Sequence, residues 1–216
     1  DHPPIAIPRA NDVQLILYTS GTTGRPKGVA MRSMAVVWCA MQQITQFRWL
    51  DRDAVMMINA PMYNTAGIHE SSPPTFFAGG TVAILPSRNW TAERLVEFID
   101  KWQVTHTLIF PSMFRNIIEL DDKKHLPLKS LKLWYTGGEN CPPALMAEVR
   151  RRWPHIHLVV SYGSTESGMV TLVEGEGATA PDTRRITQWL ADAHPEIAPE
   201  VHHGGQPLYP YLFGIE

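Results

Sequence analysis

Cysteine is scarce in this sequence: there are two among 216 residues, Cys39 and Cys141, far apart and in no metal-ligand or redox spacing. A secreted disulfide framework and a cysteine-based zinc site are disfavoured, and a reducing compartment, the cytoplasm, is the expected location. Neither sign of charge is in excess, since 19 Lys and Arg face 21 Asp and Glu for a net charge of -2. Such a balance supplies no basic field for a nucleic acid backbone or an anionic lipid surface, so neither is expected as a partner. No apolar run approaches the ~18 residues of a membrane span, and the first residues, DHPPIAIPRAND, lack a basic segment followed by an apolar one. An initiator Met, internal repeats and low-complexity tracts are missing as well.

What is present is enough to fill a core. Apolar residues make up 44% and charged residues 19%, which is the composition of a globular chain. Short β-branched or apolar runs alternate with helical patterns, the signature of βα units that build a mainly parallel sheet flanked by helices. The expected strands are Val13–Tyr18, Ala54–Asn59, Thr81–Leu85, Thr105–Phe110, Leu131–Tyr135 and Ile156–Ser161. The clearest helix runs from Thr91 to Trp102, with Thr91 as cap, Glu93 in the first turn, and Leu95, Phe98, Ile99 and Trp102 as one stripe. Another begins at Pro142–Pro143, buries Leu145, Met146, Val149 and Trp153, and places Arg150, Arg151 and Arg152 at its negative end. Residues 32–46 and 111–120 read as further helices. Residues 1–168 form the expected α/β core, and 169–216 read as a long surface connection with a short helix from Ile186 to Ala193.

The segment richest in chemistry is YTSGTTGRPKGV, Tyr18 to Val29, placed after a strand-like run and before a helix-like one. Its glycines Gly21, Gly24 and Gly28 let backbone N–H groups converge on a phosphate. Hydroxyls of Thr19, Ser20, Thr22 and Thr23 add donors, and Lys27 adds a mobile positive charge suited to a polyphosphate. The spacing matches neither the common P-loop, because Pro26 occupies its second glycine position, nor a dinucleotide fingerprint.

YTSGTTGRPKG resembles the phosphate-binding signature of the adenylate-forming enzymes, which include acyl- and aryl-CoA synthetases, firefly-type luciferases and peptide-synthetase adenylation domains. Further segments agree, in family order. SYGSTES, Ser161 to Ser167, resembles the Tyr-Gly-x-Thr-Glu motif; TGGEN, Thr136 to Asn140, the adenine-side loop; PMYNTAGI, Pro61 to Ile68, the segment near the acyl pocket; and GGQPL, Gly204 to Leu208, a later Gly-Arg-Pro segment. The resemblance implies part of the large domain of an acyl-CoA synthetase-like fold. It also implies that ATP is bound by the glycine loop together with Gly137, Gly138, Glu139, Ser161, Tyr162 and Gly163, with Tyr162 stacked on adenine. Lys27, Thr165 and Glu166 take the catalytic positions, Glu166 as a ligand of Mg2+ already held by the triphosphate.

Tyr63, Asn64 and Gly67 fall in the substrate pocket. Many relatives that make CoA thioesters have an aromatic residue followed by His where Tyr63–Asn64 stands, so any role of that imidazole is absent or changed here. Amino-acid-activating relatives have an Asp there to hold the substrate ammonium, yet no Asp occurs between Asp53 and Asp100. Glu70, the one acid in that interval before Glu93, reads as a solvated helix position, so an amino acid substrate is disfavoured.

The reaction implied is attack of a carboxylate on the α-phosphorus of ATP, followed by transfer of the acyl group to CoA. A fatty-acyl-AMP ligase that hands the acyl group to an acyl carrier protein, and an ATP-binding module without chemistry, are the alternatives. The family's ribose-holding Asp, hinge and small mobile domain cannot be placed in this sequence, so the 216 residues read as a portion of a longer enzyme. Other features are read structurally. His155, His157, His202 and His203 lack the neighbours of a zinc site. Met31, Met34, Met41, Met56, Met57 and Met62 read as core filler, and Trp38, Trp49 and Trp90 as buried aromatic packing, with the lining of a pocket as the alternative.

Overall fold

Runs such as VMMI and LWYT have no polar side to offer to water, so a strand built from them needs cover on both faces. The computed structural model, which describes residues 7–19, 25–46, 52–86 and 88–173, supplies that cover. Six strands form one sheet in the order β4-β3-β5-β6-β7-β8: β3 (Val55–Ile58), β4 (Thr81–Ile84), β5 (His106–Leu108), β6 (Leu133–Thr136), β7 (His157–Ser164) and β8 (Gly168–Val173). The first five are parallel, and β8 runs antiparallel to β7. All six expected strands exist, with ends displaced by a few residues.

One face packs on α3 (Ala92–Trp102), α4 (Pro111–Lys124) and α5 (Pro143–Arg152). Trp134 of β6 is fully buried there, edge-on to Phe114 of α4 and Trp153 after α5, each at 5.2 Å between ring centroids. The alternate residues Leu133 and Tyr135 point to the other face, where Met56, Leu108, Val159, Met169 and Ile44 of α1 (Ser33–Gln46) complete a second core. Period-two alternation thus fills both sides from the same strand.

The helices follow their local signals. Thr91 Oγ1 accepts from the Arg94 amide at 3.2 Å, as expected of the cap, and Leu95 and Ile99 are buried. Trp102 departs from the expected stripe: it is exposed, tilted against Phe98 and beneath the Lys101 ammonium. At the end of α5, Arg152 joins Asp121, Asp122 and Glu148 at 2.6–2.7 Å, locking α5 to α4. Trp153 Nε1 donates to the Leu126 carbonyl at 2.7 Å.

Two strands, Lys27–Arg32 and Gly168–Val173, lie outside the sequence reading. β1 (Val13–Thr19) pairs antiparallel with β2 (Lys27–Arg32), so the glycine-rich segment joins two strands of a hairpin rather than a strand and a helix. The helix begins only at Ser33, because alternating Val29 and Met31 bury one side of an extended run. β8 likewise carries the sheet past Gly168 to Val173, where a surface connection was expected. The helix expected at Ile186–Ala193 and the segment Gly204–Leu208 lie outside the described residues, as does Trp49.

Candidate active site

Every parallel strand of the sheet delivers its following loop to the same edge, and β3 and β5 flank the point where the strand order reverses, the usual place for a ligand in an open α/β sheet. Asn59, just after β3, donates from Nδ2 to the Leu108 carbonyl at 2.9 Å and ties the two strand ends together. The chain then turns through Pro61–Asn64 into a π-helical turn, Thr65–His69. Asn64 Oδ1 accepts from the Gly67 amide at 2.9 Å, which uses the side chain as a cap. A Cβ on Gly67 would collide with the Pro61 carbonyl, so only glycine lets this turn close. Tyr63 is exposed.

Ser161, Tyr162, Gly163, Thr165 and Glu166 lie on a second tight structure. β7 continues through Tyr162 and Gly163, and the chain turns back at Thr165–Ser167 into β8. Ser164 and Ser167 hold that turn reciprocally: the Ser164 amide donates to Ser167 Oγ at 3.1 Å and the Ser167 amide to Ser164 Oγ at 3.3 Å. Thr165 and Glu166, half-buried, occupy its tip. Thr65 Oγ1 donates to Thr165 Oγ1 at 2.9 Å, joining the two segments across 100 residues of sequence. Thr65 was not singled out in the sequence.

The adenine-side loop follows β6. Gly137 lies so close to Ser161 that a Cβ would collide with its carbonyl, and Ser161 Oγ donates to the Thr136 carbonyl at 3.1 Å. Glu139 has a structural task as well: its carboxylate accepts from the Ser112 amide at 3.0 Å and from Ser112 Oγ at 3.1 Å, at the N-terminus of α4. Gly138, with a φ of 73°, makes the turn between them. In the hairpin, Lys27 pairs with Thr19 nearest the connecting loop. Ser20, Gly21, Thr22, Thr23 and Gly24 lie outside the described residues.

A cavity of about 490 Å³ opens between the hairpin, α1 and the β7–β8 turn, lined by Met31, Trp38, Cys39, His69 and Glu166 among others. Trp38 and Met34 are mostly exposed and line it, which favours the pocket alternative for Trp38 and corrects the reading of Met34 as core filler; Met41 and Met62 are exposed too, whereas Met31, Met56 and Met57 are buried. Behind the cavity, Glu70 follows the π-turn, and burial pushes its carboxyl up to about 7. The side chain is half-buried, so the reading of Glu70 as a solvated helix position is overturned. The Tyr135 hydroxyl and Ser71 Oγ share a hydrogen bond of 2.8 Å. Burial also lowers His69 to about 4. A five-residue turn has no periodicity that betrays burial, which is why His69 was not singled out and Glu70 was read as solvated.

Among the described residues no three His, Cys, Asp or Glu side chains gather as a metal cage. A magnesium ion usually takes one or two carboxylates and completes its shell with substrate phosphates and water, and a lone Glu166 at a turn tip fits that pattern. No described helix is long and apolar enough to cross a membrane.

A family model described as "AMP-binding enzyme" matches residues 1–203. The chain is 33% identical over 153 residues to an indoleacetate–CoA ligase of Aromatoleum aromaticum, covering 71% of this chain and 29% of that protein. It is 26% identical over 200 residues to tyrocidine synthase 3 of Brevibacillus parabrevis, covering 92% of this chain and 3% of that one. It therefore spans less than a third of these curated relatives. Among solved structures, the inhibitor-bound N-terminal domain of FACL13 from Mycobacterium tuberculosis superposes with a TM-score of 0.70 at 24% identity, over 82% of this chain and 43% of that one. ATP-bound MatB from Rhodopseudomonas palustris gives 0.67 at 23% identity, over 80% and 33%.

Proposed function

Because the chain belongs to the AMP-binding enzyme family, we propose that the polypeptide containing it joins a carboxylic acid, fatty or aryl, to AMP and then to the thiol of CoA. The observation that carries this reading is the Thr65–Thr165 hydrogen bond. Thr65 donates, so the Thr165 hydroxyl keeps its own proton to offer to a phosphate oxygen at the turn that also bears Glu166.

In the first step a carboxylate oxygen bonds to the α-phosphorus of ATP, the bond to the bridging oxygen of the β-phosphate breaks, and pyrophosphate leaves. No general base is needed, because the acid is already ionised at neutral pH. The residues' work is to orient the reactants and offset negative charge. Lys27 and the Thr19–Gly24 loop hold the polyphosphate, Thr165 donates to it, and Gly137, Gly138 and the Tyr162 ring bound the adenine. Glu166 would hold Mg2+, whose contribution is to neutralise charge on the departing phosphates. In the second step a thiol attacks the acyl carbonyl and AMP leaves.

The likeness to an indoleacetate–CoA ligase supports an aryl or arylacetic acid and CoA as acceptor. The likeness to tyrocidine synthase 3 along 92% of the chain supports a second reading, in which a carrier protein presents the thiol. The test is acid-dependent exchange of labelled pyrophosphate into ATP by the complete polypeptide, with fatty, aryl and amino acids in parallel. Exchange with a fatty or aryl acid, lost in Lys27→Ala, is the expected result. Exchange with amino acids alone would overturn the substrate class and turn attention to Glu70 as the ammonium partner. Binding of ATP with no exchange would leave a nucleotide-binding module.

A further inference from the structure

Carboxylate activation at Thr165 and Glu166 leaves one feature of the adjoining cavity unused. His69 is 3% exposed and lines the cavity, and neither ring nitrogen has a hydrogen-bond partner among the described residues. Its neighbours are satisfied. Ser71 Oγ donates to the Ala66 carbonyl at 2.9 Å, and Thr75 Oγ1 to the Ser71 carbonyl at 2.7 Å. With its basicity lowered to about 4, the His69 ring is neutral near pH 7 and presents one N–H donor and one bare acceptor nitrogen. Groups of this kind, buried and unpaired, call for a partner that the described residues do not provide.

The surroundings restrict what that partner is. Val29, Met31, Ala35 and Trp38 give the cavity an apolar wall, burial pushes the Cys39 thiol up so that it too is uncharged, and Asn11, Arg32 and Gln42 are further polar side chains of the lining. Glu166, Ser167 and Gly168 line it as well. About 490 Å³ falls in the range of small-molecule sites, roughly 300–1,000 Å³.

We propose that this cavity receives the body of the acid and that His69 determines specificity, by hydrogen bonding a neutral polar group, such as a hydroxyl or a ring N–H, borne by an otherwise apolar or aromatic acid at a distance from its carboxylate. The inference rests on the carboxylate-activation reading, which sets the head of the acid beside Glu166. A pure hydrocarbon acid would fill the same space and leave both ring nitrogens unpaired, and sites built to hydrogen bond a substrate group discriminate strongly against the analogue that lacks it.

The experiment is equilibrium binding to the complete polypeptide, followed by tryptophan fluorescence, of matched acids with and without the polar group: ortho-, meta- and para-hydroxyphenylacetate against phenylacetate, and an indole acid against its naphthalene twin. At least one polar member is expected to bind about tenfold or more tightly than its twin. That ratio should fall to near one in His69→Phe and survive in part in His69→Gln, whose amide keeps a donor and an acceptor. A ring-nitrogen NMR spectrum of histidine-labelled wild type needs no variant, and the His69 signals should shift with the polar acid and not with its twin. An unchanged ratio in His69→Phe, no preference across the panel, or unmoved His69 signals would each overturn the proposal. A His69-dependent preference without pyrophosphate exchange would uphold it and remove the activation reading; exchange without that preference would do the reverse.

Discussion

Thr65 and Thr165 stand 100 positions apart in sequence and share a hydrogen bond of 2.9 Å, which couples the turn after β3 to the tip of the β7–β8 hairpin. The direction of that bond matters, since a hydroxyl that accepts from Thr65 is left with its own proton free to donate. Thr65→Val keeps the shape of the side chain and removes the donor. Pyrophosphate exchange is expected to fall about tenfold, with the melting temperature nearly unchanged because one half-buried hydrogen bond contributes only ~1 kcal/mol. Thr165→Ser should retain most exchange and Thr165→Ala little. Full exchange in Thr65→Val would remove Thr65 as a positioning residue.

Glu166 sits at the tip of a turn whose own hydrogen bonds come from Ser164 and Ser167. Glu166→Gln should therefore depress acid-dependent exchange by at least about a hundredfold, in line with loss of an electrostatic stabiliser, while thermal unfolding stays within a degree or two. Parallel loss of melting temperature and activity would assign Glu166 to the fold instead.

Glu139 separates the two kinds of role. Its carboxylate is spent on Ser112 at the start of α4, so Glu139→Ala should cost ~1 kcal/mol of stability, seen as a lower denaturation midpoint. ATP affinity at temperatures where the variant is folded should change less than about twofold. A large loss of ATP affinity with wild-type stability would place the carboxylate on the nucleotide.

His69 and Glu70 are adjacent and shifted in opposite senses. The Glu70 carboxyl, near 7 when folded against 4.5, binds a proton more tightly in the native state; its contribution is full below pH 4.5 and is lost as pH rises toward 7. The His69 imidazole, near 4 when folded against 6.5, contributes above pH 6.5 and loses it as pH falls toward 4. Each is worth up to ~3 kcal/mol, and across pH 4.5–6.5 they offset one another. Wild-type stability should be flat in that window as far as these two groups are concerned. Glu70→Gln should become less stable on acidification and His69→Gln more stable, as read from denaturant midpoints at pH 4.5, 5.5, 6.5 and 7.5. Parallel profiles for the two variants would refute the pairing.

Trp134 carries the larger core, being fully buried and edge-on to Phe114 and Trp153. Trp134→Ala should destabilise by roughly 3–5 kcal/mol, whereas Trp102→Ala, on the exposed side of α3, should cost under about 1 kcal/mol in the same denaturation experiment.

Local chemistry determined much of this in advance. Thr91 accepts from Arg94, Pro143 opens α5, and runs such as VMMI and LWYT are strands, because caps, fixed φ angles and wholly apolar runs act over a few residues and leave a mark in sequence. The glycine-rich and Tyr-Gly-x-Thr-Glu segments marked the family on the same basis, as composition at fixed spacing.

Tertiary structure decided what depends on partners distant in the chain. Val29 and Met31 lie in a strand because Leu15 to Thr19 stands beside them, although the same residues read as the approach to a helix. Asn64 spends its side-chain oxygen on Gly67, and Glu139 its carboxylate on Ser112, while Thr65, unmarked in the sequence, reaches Thr165. His69 and Glu70 differ from any other His-Glu pair only through burial. Desolvation is a property of everything packed around a group, and no stretch of ten residues can report it.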